Sequence, residues 1–188
     1  LQTDHFDLYQ LHAVTTPADV EQVFAPGGAL EAFIQAREQG WVRYLGFSAH
    51  SEAAALALMA QFDFDTILFP FNWVCWHQGN FGPRVMEAAH QKGMGILALK
   101  TLAKRPWQKD EKRTWPKCWY APVESDEEAE LAFRFTLSQP VTAAVSPSHA
   151  EWLWQMCDLA TRFTPLTAAE AQAVAARSQG VEPIFRTV

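Results

Sequence analysis

Cysteine is scarce in this sequence, with three in 188 residues at positions 75, 118 and 157. An odd number of widely spaced thiols, without a CxxC pair or a Cys/His cluster at metal-ligand spacing, excludes a disulfide scaffold and a structural zinc site. Each thiol reads as a small core residue, because free Cys buries readily. Long hydrophobic runs are also missing. The stretch 67–71 is typical, and it falls far short of the roughly 18 apolar residues of a spanning helix. No signal-like run opens the chain, so the expectation is a soluble, cytoplasmic protein. Positive charge is in the minority, 15 Lys and Arg against 21 Asp and Glu for a formal net charge of -6. Without a basic field, nucleic acid and anionic membrane are disfavoured as partners. The signatures GxGxxG and GxxxxGK[ST] are absent, which argues against a Rossmann sheet with its chemistry in one glycine-rich turn.

What is present is a series of short apolar runs: HFDLYQLH (5–12), VRYLGFSA (42–49), DTILFPFN (65–72), GILALK (95–100) and VTAAVS (141–146). Several are apolar at nearly every position, the pattern of parallel strands buried on both faces. Helices fill the gaps. Leu30, Phe33 and Ile34 mark one over 29–39, closed by Gly40. A second follows Ser51, and Gly82-Pro83 opens a third that Gly93 stops. Ser125 with Glu128, and Thr167 with Glu170, have capping-box spacing and open helices over 126–139 and 168–178. A further helix is expected over 150–162.

Strand and helix alternating without a break is the mark of right-handed βαβ units, here at an average spacing of about 34 residues. The strand ends carry the chemistry: His12, Ser48 with His50, Asn72, Lys100 with Thr101, and Ser146 with Ser148. That pattern fits a TIM-type (β/α)8 barrel, which delivers every strand's C-terminal end to one mouth. Eight units take about 250 residues, and only five strands are visible. Residues 1–188 therefore read as one partial barrel domain, about the last five βα units of a longer protein or one completed by a partner. Leu1 stands close to the first apolar run, in keeping with a chain cut inside a fold. Residues 101–125 are too long for a plain βα turn and carry Trp107, Trp115, Trp119, Tyr120 and six cationic side chains. They read as a long loop or lid over the mouth, with a charge that favours a phosphate-bearing ligand.

These segments resemble the aldo-keto reductases. DHFDLYQLH is similar to that family's fourth strand, where aspartate-leucine-tyrosine is followed after two residues by a catalytic histidine, here His12. GWVRYLGFSAHS resembles the fifth, and FDFDTILFPFNWV, GMGILALKTLA and PVTAAVSPSH the sixth, seventh and eighth in order, so the resemblance spans residues 3–175.

The resemblance implies a barrel that binds NADPH, or NADH, and passes hydride to a small-molecule aldehyde or ketone. The family's acid is a tyrosine backed by an aspartate and a lysine, all of which precede strand four and so would lie upstream of Leu1; only His12 maps. The fragment is therefore expected to be inactive. Cofactor contacts are implied at Ser48, which falls on the serine that holds the nicotinamide carboxamide, at Lys100 and Leu102, and at Ser146 near phosphate. Departures from the family occur at Ala49, Leu68, Leu99 and Lys100, where asparagine, glutamine, an aromatic residue and serine are usual. No arginine for the 2'-phosphate is matched. Two alternatives stand beside this reading. One is a Schiff-base, aldolase-like barrel using Lys100, and the other a non-catalytic nucleotide-sensing or interaction barrel.

Overall fold

The computed structural model describes residues 2–187. Its elements in chain order are β1 (Phe6–Val14), α1 (Pro17–Phe24), α2 (Ala29–Glu38), β2 (Val42–Ala49), α3 (Glu52–Gln61), β3 (Thr66–Pro70), α4 (Trp73–Gly79), α5 (Pro83–Gln91), β4 (Gly95–Leu99), β5 (Ala103–Pro106), β6 (Tyr120–Pro122), α6 (Asp126–Leu137), β7 (Ala143–Ala144), α7 (Ala150–Thr161) and α8 (Ala168–Ser178). All five expected strands are present, and the chain divides into two compact units.

One unit comprises the residues up to Phe69 together with Arg84–Ile96. Its sheet is parallel: β1 pairs with β2 (Phe6 opposite Val42, Leu11 opposite Phe47), and β2 with β3 (Gly46 opposite Thr66, Ser48 opposite Leu68). The Gly95 N–H donates to the Asp65 carbonyl at 2.8 Å and starts β4 beside β3. Burial on both faces holds for β2 over 45–49, and Leu45, Phe47, Ile67 and Phe69 are fully buried. Gly46 is required where it stands, because a Cβ would run into the Thr66 hydroxyl, which itself accepts from Gln10 Nε2 at 3.0 Å. Strand β1 is not buried on both faces. Phe6 and Tyr9 are 42% and 49% exposed, because β2 is the single ladder partner of β1 among the described residues.

The helices of this unit start and stop where their caps dictate. Ser51 caps α3 by accepting from Ala54 N, and Gly40 and Gly93 take the left-handed φ that ends α2 and α5. Helix α1 was not among the expected elements, although Thr16 and Asp19 form a complete capping box with Pro17 at its first position.

The other unit comprises Pro70–Pro83 and the residues from Leu97 onward. Here β4 pairs in parallel with β7 (Leu97 opposite Ala143), and Val145 N–H extends the ladder to the Ala98 carbonyl at 2.9 Å. The core gathers Trp73, Val74, Leu102, Val123, Phe133 and Trp152. Residues 101–124 are not an open loop. They contain the antiparallel hairpin β5–β6, clamped by a bidentate Arg105–Glu111 pair at 2.8 and 2.9 Å. Trp107 Nε1 donates to the Cys118 carbonyl at 2.8 Å. At α6 half of the expected capping box forms: Ser125 accepts from Glu128 N, while the Glu128 carboxylate accepts from Glu124 N. At α8 the box is complete, and Glu170 also holds Arg134 of α6 in a bidentate pair.

Cys75 and Cys118 are buried as expected, but Cys157 is exposed, since it falls on the outer face of α7 while Trp152, Met156 and Leu159 take the inner one. No helix among the described residues is long and apolar enough to cross a membrane.

Candidate functional site

His12 lies where the β1–β2 register shifts, between Leu11 and Val14. Ala13 takes a left-handed backbone (φ +52°), so the strand bulges at its end and turns the His12 side chain into solvent. The bulge is held from β2: Ala13 N–H donates to Ser48 Oγ at 2.7 Å. Beside His12 a groove of about 420 Å³ is lined by Ala13, Val14, Asp19, Gln22, Val23 and Ala29. Its far wall is α1, whose capping carboxylate Asp19 is held below its ordinary value by the backbone N–H groups of Thr16 and Thr15 and by the Thr16 hydroxyl. Ser48 itself is 3% exposed. Its Oγ is already an acceptor, which leaves the hydroxyl proton to donate.

In the other unit Lys100 also stands in a left-handed backbone, φ +62°. The conformation is fixed by its carbonyl, which accepts from Ala103 N at 2.8 Å and from Asn72 Nδ2 at 3.2 Å. The fully buried Asn72 side chain also donates to the Ala103 carbonyl at 3.2 Å and caps α4 by accepting from Cys75 N at 2.8 Å. The Lys100 ammonium lies 5.3 Å from the Trp119 ring and 5.4 Å from the Tyr120 ring. Burial holds that ammonium below the usual lysine value, and the neighbouring Cys118 acts in the opposite sense. Burial also pushes the Tyr120 hydroxyl up.

The Leu102 side chain is fully buried in the core and its carbonyl accepts from Val123 N at 2.9 Å, so a cofactor contact there would fall to its backbone N–H. Ser146 is half-buried just past β7, on the stretch that follows the Val145–Ala98 bond. Among the described residues no group of three His, Cys, Asp or Glu side chains is placed to hold a metal ion.

The sequence profile of the aldo/keto reductase family matches residues 1–176. The chain belongs to that family. Among solved aldo-keto reductases, AKR11C1 from Bacillus halodurans in its holo form shares the fold at a TM-score of 0.62 and 20% identity, over 97% of this chain and 62% of that one. The thermostable aldo-keto reductase Tm1743, solved with the inhibitor epalrestat, gives 0.61 at 18% identity, over 93% and 60% of the two chains. The chain thus spans about three fifths of the length of these solved structures. No curated protein matches its sequence.

Asp19 of this aldo/keto reductase organises a strand end that the sequence reading left out, although Pro17 and the T-x-x-D spacing signal it. Asn72 was expected as a polar strand end, but its reach to Lys100 and Ala103 crosses 28 and 31 residues and leaves no mark in the local pattern.

Proposed function

We propose that the chain is the nucleotide- and carbonyl-binding part of an NADPH-dependent oxidoreductase, with NADH as the alternative cofactor, that reduces a small aldehyde or ketone. It would form about the last five βα units of a TIM-type barrel. The observation that carries this reading is the exposed imidazole of His12 on a bulged strand end, pinned by Ser48 and opening onto a groove.

The donors present suit the cofactor's chemistry. The Ser48 hydroxyl proton suits the nicotinamide carboxamide, the Lys100 cation suits the pyrophosphate as a point charge, and the Ser146 hydroxyl suits a phosphate oxygen. Bound NADPH would supply the hydride. His12 donates an N–H to the carbonyl oxygen, orienting the substrate and offsetting the negative charge that grows on that oxygen. The Ala13–Ser48 bond keeps the bulge from relaxing, so the backbone that carries His12 is held in place before substrate arrives. No residue of the matched segments fills the role of the family's tyrosine acid. Turnover by residues 1–188 alone is therefore expected to be about 10²–10⁴-fold below that of an acid-bearing site.

The test is binding of an unreactive carbonyl ligand such as benzamide to the NADP⁺ complex of the wild type and of His12→Phe. The reading predicts at least a tenfold weaker carbonyl ligand in the variant with NADP⁺ affinity held within twofold. Equal affinities for benzamide would remove His12 from the carbonyl site.

A further inference from the structure

Trp119 is 51% exposed, yet it lies over the Lys100 ammonium. Tyr120, its neighbour in sequence, meets it edge-on at 5.3 Å, and the ring it meets from a distant part of the sequence is Phe185, at 5.8 Å and 72°. Phe185 is stacked on Phe81 at 5.2 Å and 22°. The backbone around it is tied to the end of α4: Thr187 N donates to the Gly79 carbonyl at 2.9 Å, Arg186 Nη1 to the Gln78 carbonyl at 3.2 Å, and the Thr187 hydroxyl to the Asn80 carbonyl. Ile184 packs against the cluster of Ala103, Cys118 and Tyr120. Helix α4 is shaped for this segment, since a Cβ on Gly79 would run into the Phe185 carbonyl.

We propose that residues 181–187 form a strap that seats Trp119 on Lys100, making Trp119 a positioning residue that sets nucleotide affinity through that ammonium. It holds the ammonium in an aromatic cage that an anionic nucleotide must open. The inference rests on the assignment of Lys100 to the cofactor's pyrophosphate. A cation held between two rings is favoured by about 2-fold to 30-fold over the same cation in water. A phosphate that recruits Lys100 has to overcome that preference, so the strap lowers nucleotide affinity. Loosening the strap, by contrast, strengthens binding. A variant lacking the ammonium has nothing to release and is indifferent to the strap.

Two measurements separate the strap from the cofactor assignment. In the nucleotide-free protein, NMR of isotope-labelled lysine reads the Lys100 ε-methylene protons, which the ring current of Trp119 shifts upfield of the other lysines. Phe185→Ala and Gly79→Ala, which loosen the strap from its two sides, are expected to reduce that shift to the part contributed by Tyr120, and Phe185→Tyr to retain it. In titrations with NADPH, Phe185→Ala is expected to tighten binding about 3-fold to 10-fold, Lys100→Met to weaken it, and the double variant to match Lys100→Met alone. An unmoved Lys100 resonance in both loosened variants overturns the strap while leaving Lys100 as a cofactor contact. Unchanged NADPH affinity in Lys100→Met overturns the cofactor assignment and the proposed gate with it, and so does a protein that binds no NADPH.

Discussion

The Ser48 hydroxyl accepts the Ala13 backbone N–H at 2.7 Å, and that bond fixes the residue next to His12 in a left-handed conformation. Serine at this position is thus a structural acceptor as well as a proposed donor to the cofactor. Ser48→Ala leaves the Ala13 N–H without its partner in a half-buried place, at a cost of about 1–3 kcal/mol. The urea midpoint should fall accordingly, and amide exchange at Ala13 should accelerate more than exchange in the middle of β2. An unchanged Ala13 amide would show that the bulge is held by something else.

Asn72→Ala removes three bonds at once: the α4 cap and the two contacts to the Lys100 and Ala103 carbonyls. A lost cap costs about 1 kcal/mol and the Ala103 carbonyl left without the amide donor adds about 1–3 kcal/mol, while the Lys100 carbonyl keeps its bond from Ala103 N. Chemical unfolding measures it. Asn72→Asp keeps the cap acceptor but no donor, so it should fall between wild type and alanine.

How much of this was legible in the sequence differs between elements. Strand β2 was readable because burial on both faces over 45–49 leaves a stretch without alternation, and β3 because of the short apolar run ILF. Helix α8 was readable because Thr167 and Glu170 bond each other's backbones within one turn. The hairpin β5–β6 was not, since its strands are four and three residues long and carry no alternation. The burial of the Leu102 side chain in the core was not legible either, since it follows from the left-handed backbone at Lys100. The ring cage of Lys100 comes from residues 19 and 20 positions away, which no local period encodes.

The three thiols should separate cleanly in a labelling experiment. Burial pushes the Cys75 thiol up to about 11 and raises Cys118 as well, whereas Cys157 is exposed. An aromatic disulfide reagent should modify one equivalent quickly in the native protein and three after unfolding. Fast modification of two or more native thiols would contradict the burial of Cys75 and Cys118.

The hairpin should loosen in acid. Glu111 is lowered from the ordinary glutamate value of 4.5 to about 2, first by its hydrogen bonds with Arg105 and then by the Gln108 N–H. A depressed carboxylate stabilises fully above its unfolded value and loses that contribution as pH falls through its folded one, here from about 4.5 to about 2. Protection of the β5 and β6 amides, taken relative to their intrinsic exchange rates, should fall over that window, and Glu111→Gln should flatten the dependence. Protection that is level from pH 5 to pH 2 in the wild type would rule out Glu111 as the clamp.

Calorimetric titration of the protein with NADPH and NADH is the decisive measurement for the proposed nicotinamide-nucleotide site. Saturable binding of one nucleotide per chain, weakened by Lys100→Met, is the predicted result. Absence of saturable binding by either nucleotide would contradict it.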